Sequence, residues 1–230
     1  MNVAIIAAAG RGKRFGGRRP KQFLELAGTP VIIHTLRRFE QCSEIQEVVV
    51  VLPAQDTAGF LALAGKYGLR KLARIVAGGA TRSESVWRGL QTIRAATAEI
   101  IAVHDGVRPF VTSEEIGRTV QAAETCGAAI LTAPVIDTIK EVENEHVVRT
   151  LRRTRLRRAL TPQCFRYDLL RRAYEQSPEI VEDATDDSSL VESLGFTVST
   201  IEGDARNIKI TRTEDIALGE ILLKSLESGV

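Results

Sequence analysis

The sequence predicts an α/β fold built on an open, mainly parallel β-sheet with helices on its faces. Apolar runs rich in β-branched residues recur at 3–8, 48–52, 100–103 and 129–133, with a weaker one at 72–76, and helical periodicity fills the segments between them. Strands that alternate with helices form parallel sheets, because two parallel strands need a long crossover connection. We therefore expect a Rossmann-like sheet.

Individual elements have their own local signals. The N-terminal run, 3–9, is too short to span a membrane and lacks the preceding basic segment of a signal peptide, so it is interpreted as the first strand. Thr29 followed by Pro30 predicts a helix with proline at its first position. Later helix starts have the spacing of a capping box, a Thr with a Glu three residues on. These pairs are Thr81 with Glu84, Thr112 with Glu115 and Thr211 with Glu214.

The pattern changes after Pro134. Residues 135–142 and 147–151 alternate apolar and polar side chains around 143–145, which predicts a β-hairpin projecting from the sheet. An isolated two-stranded hairpin is marginal in water, so this arm needs a partner surface. We expect one domain, residues 1–230, whose arm at 135–154 clasps a second copy in a homodimer.

Composition excludes several classes of protein. With 230 residues, 44% hydrophobic and 26% charged, the chain is expected to be a soluble globular domain. The net charge of +2 does not predict a general nucleic-acid surface, so the local clusters of cations indicate a small anion. Cys42, Cys126 and Cys164 are odd in number and far apart, which argues against a disulfide framework or a zinc site. A reducing cytoplasm is expected, with no membrane association.

The loop after the first strand is glycine-rich and cationic. Between Gly10 and Gln22 there are six Lys or Arg residues and no acid, and glycine lets backbone N–H groups approach an anion closely. Gly12-Lys13 lacks the spacing of a Walker A loop, and Phe15 breaks the dinucleotide fingerprint. The loop predicts a polyphosphate site, with a solvated basic loop as the alternative.

Three unusual segments follow predicted strands: 10–14, 78–83 and 104–109. In open α/β sheets, ligands bind at the carboxyl ends of the strands. The set suits nucleotidyl transfer, in which fixed cations offset charge on the phosphates, and Arg14 and Lys21 are the candidates. Asp105 is expected to bind Mg²⁺ or to accept a substrate hydroxyl, with a turn cap as the alternative.

Other residues receive mostly structural interpretations. An ionised phosphate nucleophile needs no general base, so His104 is interpreted as structural. Trp87 is assigned to the core. The arginines of 149–158 form either a solvated face or an anion site. Three acids are expected to cap a helix that begins near Ser188. They are Asp183, Asp186 and Asp187.

Seven short motifs in order resemble the 2-C-methyl-D-erythritol 4-phosphate cytidylyltransferase family over nearly the whole chain. They are Ala8-Ala9-Gly10-x-Gly12-x-Arg14, Pro20-Lys21-Gln22, Gly79-x-x-Arg82-x-x-Ser85-Val86, His104-Asp105-x-x-Arg108-Pro109, Ala133-Pro134-Val135-x-Asp137-Thr138-x-Lys140, Thr161-Pro162-Gln163 and Asn207-Ile208-Lys209-Ile210-Thr211. The resemblance implies a nucleotidyltransferase of non-mevalonate isoprenoid precursor synthesis that uses CTP and Mg²⁺, with the metal held mainly by the CTP phosphates and Asp105 as an optional ligand.

The resemblance also assigns roles to residues. It implies catalytic roles for Arg14, Lys21 and Lys209. The implied nucleotide-binding residues are Ala8, Ala9, Gly10, Gly12, Gly79, Ala80 and Ser85. The implied substrate-binding residues are Asp105, Arg108 and Thr161, with Thr138 and Arg153 from a partner's arm. Ala80 departs from the pattern, since an acid is frequent there.

Two rival functions stay open at this point. A cytidylyltransferase for another polyol phosphate, such as ribitol 5-phosphate, would have the same sheet and nucleotide loop. A non-catalytic RNA-binding protein would use the arginines of 149–158, and its affinity would fall steeply with salt. The second hypothesis leaves Gly79 and Asp105 without a purpose.

Overall fold

In a computed structural model of the chain, the structure describes residues 1–10, 20–176 and 178–227. The strands are β1 (Val3–Ala7), β2 (Glu25–Leu26), β3 (Thr29–Pro30), β4 (Glu47–Leu52), β5 (Leu72–Ala77), β6 (Ile100–Asp105), β7 (Ala128–Pro134), β8 (Lys140–Glu143), β9 (His146–Thr150), β10 (Arg157–Arg166) and β11 (Ser199–Glu202). The α-helices are α1 (Val31–Gln41), α2 (Thr57–Lys66), α3 (Arg82–Gln91), α4 (Ser113–Cys126), α5 (Tyr167–Tyr174), α6 (Pro178–Asp183), α7 (Asp187–Glu192) and α8 (Glu214–Glu227). Short 3-10 turns lie at Lys21–Phe23, Ala54–Asp56 and Arg153–Arg155.

Across the described ranges, the central sheet has seven strands in the order β11-β7-β10-β6-β1-β4-β5. Every neighbouring pair is parallel except those of β10, which runs antiparallel to both β6 and β7. The predicted open, mainly parallel sheet is confirmed. Strands β10 and β11 lie outside the predicted apolar runs, because charged and hydroxyl side chains interrupt them.

Two apolar layers sandwich the sheet. Along β4, Val48, Val50 and Leu52 pack into one layer, and Val49 and Val51 pack into the other, since successive side chains of a strand point to opposite faces. The first layer contains residues of α1, α2 and α4, and the second contains residues of α3, α5 and α7. The parallel strands are therefore buried on both faces and present only their ends to a ligand.

Two of the predicted helix starts have a threonine cap. At α4, Thr112 accepts from the Glu115 backbone N–H and the Glu115 carboxylate accepts from the Thr112 backbone N–H, a complete capping box. At α3, Thr81 accepts from the backbone N–H of Glu84, but the Glu84 carboxylate reaches one residue further, to the backbone N–H of Ala80. The capping box of α3 is therefore half formed, and the Glu84 carboxylate instead holds the loop before the helix through the backbone N–H of Ala80.

Two other predicted helix starts were wrong in detail. Helix α1 begins at Val31, and Pro30 precedes it in strand β3. Helix α8 begins at Glu214, and the Asp215 carboxylate, rather than that of Glu214, accepts from the backbone N–H of Thr211. Each start therefore differs from the expected position or partner by one residue.

Strands β8 and β9 form a separate two-stranded sheet with every residue exposed, so the projecting hairpin is confirmed. Strand β8 is shorter than predicted, β9 has the predicted length but begins one residue earlier, and Asn144 and Glu145 make the turn with φ of 47° and 67°. Positive φ at both turn residues gives the twist that two-residue hairpins favour. The arm exposes Ile136 by 79% and Val147 by 60%. Dimerisation through the arm stays a prediction.

Candidate active site

A cavity of about 530 Å³ opens at the carboxyl ends of β1, β5 and β6. Its volume suits a nucleotide-sized ligand. The described residues of the three segments that were predicted to converge contribute to its lining, together with Lys21 and Lys209. The lining residues are Ala7, Ala8, Ala9, Gly10, Lys21, Gln22, Gly79, Ala80, Thr81, Arg82, Ser85, Asp105, Val107 and Lys209. The alternative of an isolated basic surface loop does not account for this convergence.

Two glycines let the loops approach each other. A Cβ added at Gly78 would lie 2.2 Å from the Cβ of Ala9, and one added at Gly106 would lie 2.7 Å from the Cβ of Ala8. The loop after β1 is thus packed between the loops after β5 and β6. A side chain at either glycine would clash with Ala8 or Ala9, both of which line the cavity.

The N-terminus of α3 holds the wall formed by Gly79 and Ala80. The Ser85 hydroxyl accepts from the Gly79 backbone N–H at 3.0 Å and donates to the carbonyl of Thr81 at 2.8 Å. The Glu84 carboxylate accepts from the Ala80 backbone N–H at 2.7 Å. Both N–H groups of the loop are therefore satisfied internally, which fixes its backbone before a ligand arrives.

Asp105, the last residue of β6, is surrounded by cations. One carboxylate oxygen lies 3.3 Å from Arg82 Nε, and the other lies 3.2 Å from Arg108 Nε and 2.9 Å from Lys209 Nζ. Burial alone would raise the pKa of this carboxyl group, but the charges of Arg82, Lys209 and Arg108 outweigh it and hold the pKa well below its usual range. Asp105 is therefore a carboxylate at any working pH, and it leaves an excess of positive charge beside the cavity.

His104, the residue before Asp105 on β6, and Thr161 on the neighbouring strand β10 support Asp105. The His104 ring is completely buried, and burial lowers its pKa to about 4, so the ring is neutral. Its Nε2 lies 3.1 Å from the Arg108 carbonyl and therefore carries the proton, which leaves Nδ1 to accept from the Thr161 hydroxyl at 2.9 Å. The same hydroxyl accepts from the Asp105 backbone N–H at 3.3 Å. The structural interpretation of His104 agrees with this geometry.

A magnesium ion does not fit Asp105 as a protein ligand. Both carboxylate oxygens already face Lys or Arg groups, and a cation would compete with three fixed positive charges there. In the described part of the chain, no three His, Cys, Asp or Glu side chains form a group that could hold a metal. The donor set at Asp105 suits a substrate hydroxyl better than Mg²⁺.

Comparisons with known proteins agree with this geometry. The family described as 2-C-methyl-D-erythritol 4-phosphate cytidylyltransferase matches residues 2–225. The chain belongs to this family. A member from Pelotomaculum thermopropionicum is 44% identical over 225 residues, covering 97% of this chain and 94% of its own, and one from Alkaliphilus metalliredigens is 41% identical over 99% of this chain and 95% of its own.

Solved structures of the cytidylyltransferase family share the fold. The 4-diphosphocytidyl-2C-methyl-D-erythritol synthase of Anaerococcus prevotii superposes with a TM-score of 0.85 at 31% identity, covering 97% of this chain and 96% of its own. The 2-C-methyl-D-erythritol 4-phosphate cytidylyltransferase of Thermus thermophilus gives 0.78 at 34% identity, covering 96% and 98%. The sheet of this chain is thus the nucleotidyltransferase sheet of that family.

Most of the residues that the family resemblance singled out meet at the cavity. Nine line it directly: Ala8, Ala9, Gly10, Lys21, Gly79, Ala80, Ser85, Asp105 and Lys209. Arg108 and Thr161 contact Asp105. Thr138 and Arg153 are exposed on the arm and do not line the cavity of their own chain. Gly12 and Arg14 lie outside the described residues.

The cytidylyltransferase fold also brings in residues that sequence reasoning assigned elsewhere. Asp186 caps α7, as expected, but Asp187 pairs with Arg82 Nη2 at 2.7 Å and Asp183 ends α6. Asp187 does lie in the first turn of α7, where its charge complements the helix dipole, but it forms no cap hydrogen bond. The expected role was wrong for Asp183. In the sequence, Arg82 stands out only as part of a motif. Its partner is 105 positions away, so no local pattern could have paired them.

Among the described residues, no helix is both long enough and apolar enough to cross a membrane.

Proposed function

We propose that this chain transfers the cytidylyl group of CTP to 2-C-methyl-D-erythritol 4-phosphate and releases pyrophosphate, a step of non-mevalonate isoprenoid precursor synthesis. One observation carries the proposal. This chain belongs to the cytidylyltransferase family. On one side, its cavity at the strand ends presents glycine and alanine backbone together with Lys21. On the other side lies the Asp105 carboxylate, which pairs with Lys209. The side with Lys21 suits a nucleoside triphosphate, and the side with Asp105 suits a phosphorylated polyol.

The residues divide the work between the two substrates. Gly79, Ala80 and Ser85 form the wall proposed to receive the cytosine ring, with Ala8 and Ala9 beside it. Gly10 and Lys21, with Gly12 and Arg14, hold the triphosphate. Asp105 accepts hydrogen bonds from polyol hydroxyls, while Arg108, Thr161 and Lys209 hold the acceptor end of the site. This division places the nucleophile and the α-phosphorus in one cavity.

In the reaction, an oxygen of the polyol's phosphate forms a bond to the α-phosphorus of CTP as the bond from that phosphorus to the bridging oxygen of pyrophosphate breaks. Negative charge builds on the non-bridging oxygens and on the leaving pyrophosphate, and the cationic side chains of Lys21, Lys209 and Arg14 are proposed to lower the barrier by stabilising that charge. A phosphate monoester is largely ionised at neutral pH. No general base is needed, in keeping with a buried and neutral His104.

Mg²⁺ is proposed to arrive with CTP, held by the phosphate oxygens, since the described protein residues do not provide a carboxylate cage. When bound, it would neutralise part of the triphosphate charge. The compartment is proposed to be a reducing cytoplasm, because Cys42, Cys126 and Cys164 are all free thiols.

The arm is proposed to complete the site of a second copy in a homodimer. Two observations support this. Its β-branched side chains are exposed although a lone hairpin is marginal in water, and Arg153 and Thr138 lie on the arm away from the cavity of their own chain. Sedimentation at micromolar concentration should show twice the 25.1 kDa chain mass, and a purely monomeric protein would exclude the arrangement.

Pyrophosphate release tests the reaction itself. The purified protein is incubated with Mg²⁺ and CTP, ATP, GTP or UTP, each with 2-C-methyl-D-erythritol 4-phosphate or with ribitol 5-phosphate. Turnover is expected for CTP with the methylerythritol phosphate. Preferential turnover of ribitol 5-phosphate would transfer the assignment to a related cytidylyltransferase. The absence of turnover in every combination, with salt-sensitive RNA binding instead, would favour the RNA-binding alternative.

A further inference from the structure

Arg82 connects the cavity to a buried polar cluster between the sheet and the helices α5 and α7. Its Nε lies 3.3 Å from Asp105, and its Nη2 lies 2.7 Å from Asp187. The Asp187 side chain is completely buried, and its second oxygen accepts from the Tyr174 hydroxyl at 2.5 Å. Both oxygens of Asp187 are therefore used, one by the arginine and one by the tyrosine.

The elements around the cluster leave Asp187 little freedom. Its backbone N–H donates to the side-chain carbonyl of Gln163 at 3.0 Å, and Gln163 lies on β10, two residues beyond Thr161. The Tyr174 ring stacks on Trp87 of α3, with centroids 5.8 Å apart and planes 12° apart. The cluster thus joins α3, α5, α7 and β10, four elements that meet behind the cavity.

Helix capping does not explain a carboxylate at position 187. Asp186 already caps α7 by accepting from the Ser189 backbone N–H at 3.0 Å. A buried ion pair also gives weak net stabilisation, because desolvation of both charges offsets their attraction, and apolar replacements are often as stable. A buried pair does fix the orientation of the groups that it joins. Because Arg82 pairs with Asp105 as well as with Asp187, fixing Arg82 also fixes Asp105.

The charges of the cluster support the same conclusion. Arg82, Arg108 and Lys209 surround Asp105. Without a second carboxylate, the three cations would all compete for one. Because Asp187 pairs with the Nη2 end of Arg82, the guanidinium contacts Asp105 through Nε.

We propose that Asp187 and Tyr174 are positioning residues that act through Arg82: they hold its guanidinium so that Asp105 presents one fixed orientation to the hydroxyls of the phosphorylated polyol. The inference rests on the proposed function, since it concerns the acceptor side of the same cavity. It assigns no contact with either substrate to Asp187 or Tyr174.

Steady-state kinetics of Asp187→Asn and Tyr174→Phe test the proposal, with each substrate varied in turn. For Asp187→Asn, kcat/KM for the methylerythritol phosphate is expected to fall about tenfold or more, the size of a lost charge-assisted hydrogen bond, while KM for CTP stays within about twofold. Tyr174→Phe should cause a smaller loss, about threefold, with the same selectivity. Glu175→Gln is the matched control, because it removes an exposed carboxylate beside α5 that pairs with Arg171 and not with Arg82.

A double-mutant cycle shows whether the effect passes through Arg82. In an Arg82→Met background, Asp187→Asn should cause less than about a twofold further loss, because coupled residues are not additive. A merely structural role predicts a lower melting temperature, equal losses of kcat/KM for both substrates, and additive effects of the two substitutions. Equal losses or additivity would overturn the proposal. If Asp187→Asn does not fold, Tyr174→Phe decides by the same criteria. A wild-type protein without pyrophosphate release would instead contradict the proposed function.

Discussion

Neutral, buried His104 should make the stability of this protein depend on pH in a defined window. The pKa of the ring is about 4 in the folded protein and 6.5 in an unfolded chain. As pH falls below about 6.5, the unfolded chain takes up a proton that the folded protein does not, so stability falls until pH reaches about 4. The two values correspond to a loss of about 2 kcal/mol between pH 7 and pH 5, and about 3 kcal/mol in full.

Urea unfolding at pH 7 and pH 5, at one protein concentration, measures this loss. His104→Gln replaces the ring by a group that does not titrate. It should lower stability at pH 7, because two buried hydrogen bonds are disturbed, and its free energy of unfolding should fall by about 2 kcal/mol less than that of the wild type between the two pH values. His146→Gln, on the exposed arm, should keep the wild-type pH dependence. If His104→Gln and the wild type lose the same free energy, the buried neutral ring is not the cause.

Three further predictions concern the cavity. Lys21→Ala should lower turnover about 10²- to 10³-fold, equivalent to about 3–4 kcal/mol of lost charge stabilisation, with an unchanged melting temperature; near-normal pyrophosphate release would contradict its role. Asp105→Asn should raise KM for the methylerythritol phosphate about tenfold or more and leave KM for CTP nearly constant, so an equal change in both would refute the assignment. Gly78→Ala places a Cβ 2.2 Å from the Cβ of Ala9. It should lower the free energy of unfolding by about 1–3 kcal/mol, measured by thermal unfolding, and should also weaken CTP binding in calorimetry. Gly59→Ala on α2, which meets nothing within 4 Å, is its control and should not destabilise.

Much of the fold could be predicted because its signals are local. The apolar runs at β1 and β4 are buried on both faces, as parallel strands require, and Thr112 with Glu115 forms the expected cap of α4. Strand β10 was not predicted, because Arg157 and Arg158 at its start resemble a solvated basic segment. It becomes a strand because β6 and β7 lie on either side of it and satisfy its backbone.

The candidate site, too, could be predicted only in part. Glycine-rich and charged segments after strands are visible in a sequence, and the topology of a parallel sheet brings strand ends together, so Gly10, Gly79 and Asp105 were expected to meet. Glycines at 78 and 106 gain their importance only from the side chains of Ala9 and Ala8, which belong to another loop.

The alternation of apolar strands with helices and the exposed hairpin are properties of neighbouring residues, and so the sequence alone determined them. Tertiary structure decided the electrostatics: Asp105 is held as a carboxylate by Arg82 and Lys209 from distant segments, and Asp187 is an ion-pair partner rather than a helix cap. The physical reason is that charge interactions and desolvation depend on distance in space, which spacing along a chain does not reveal.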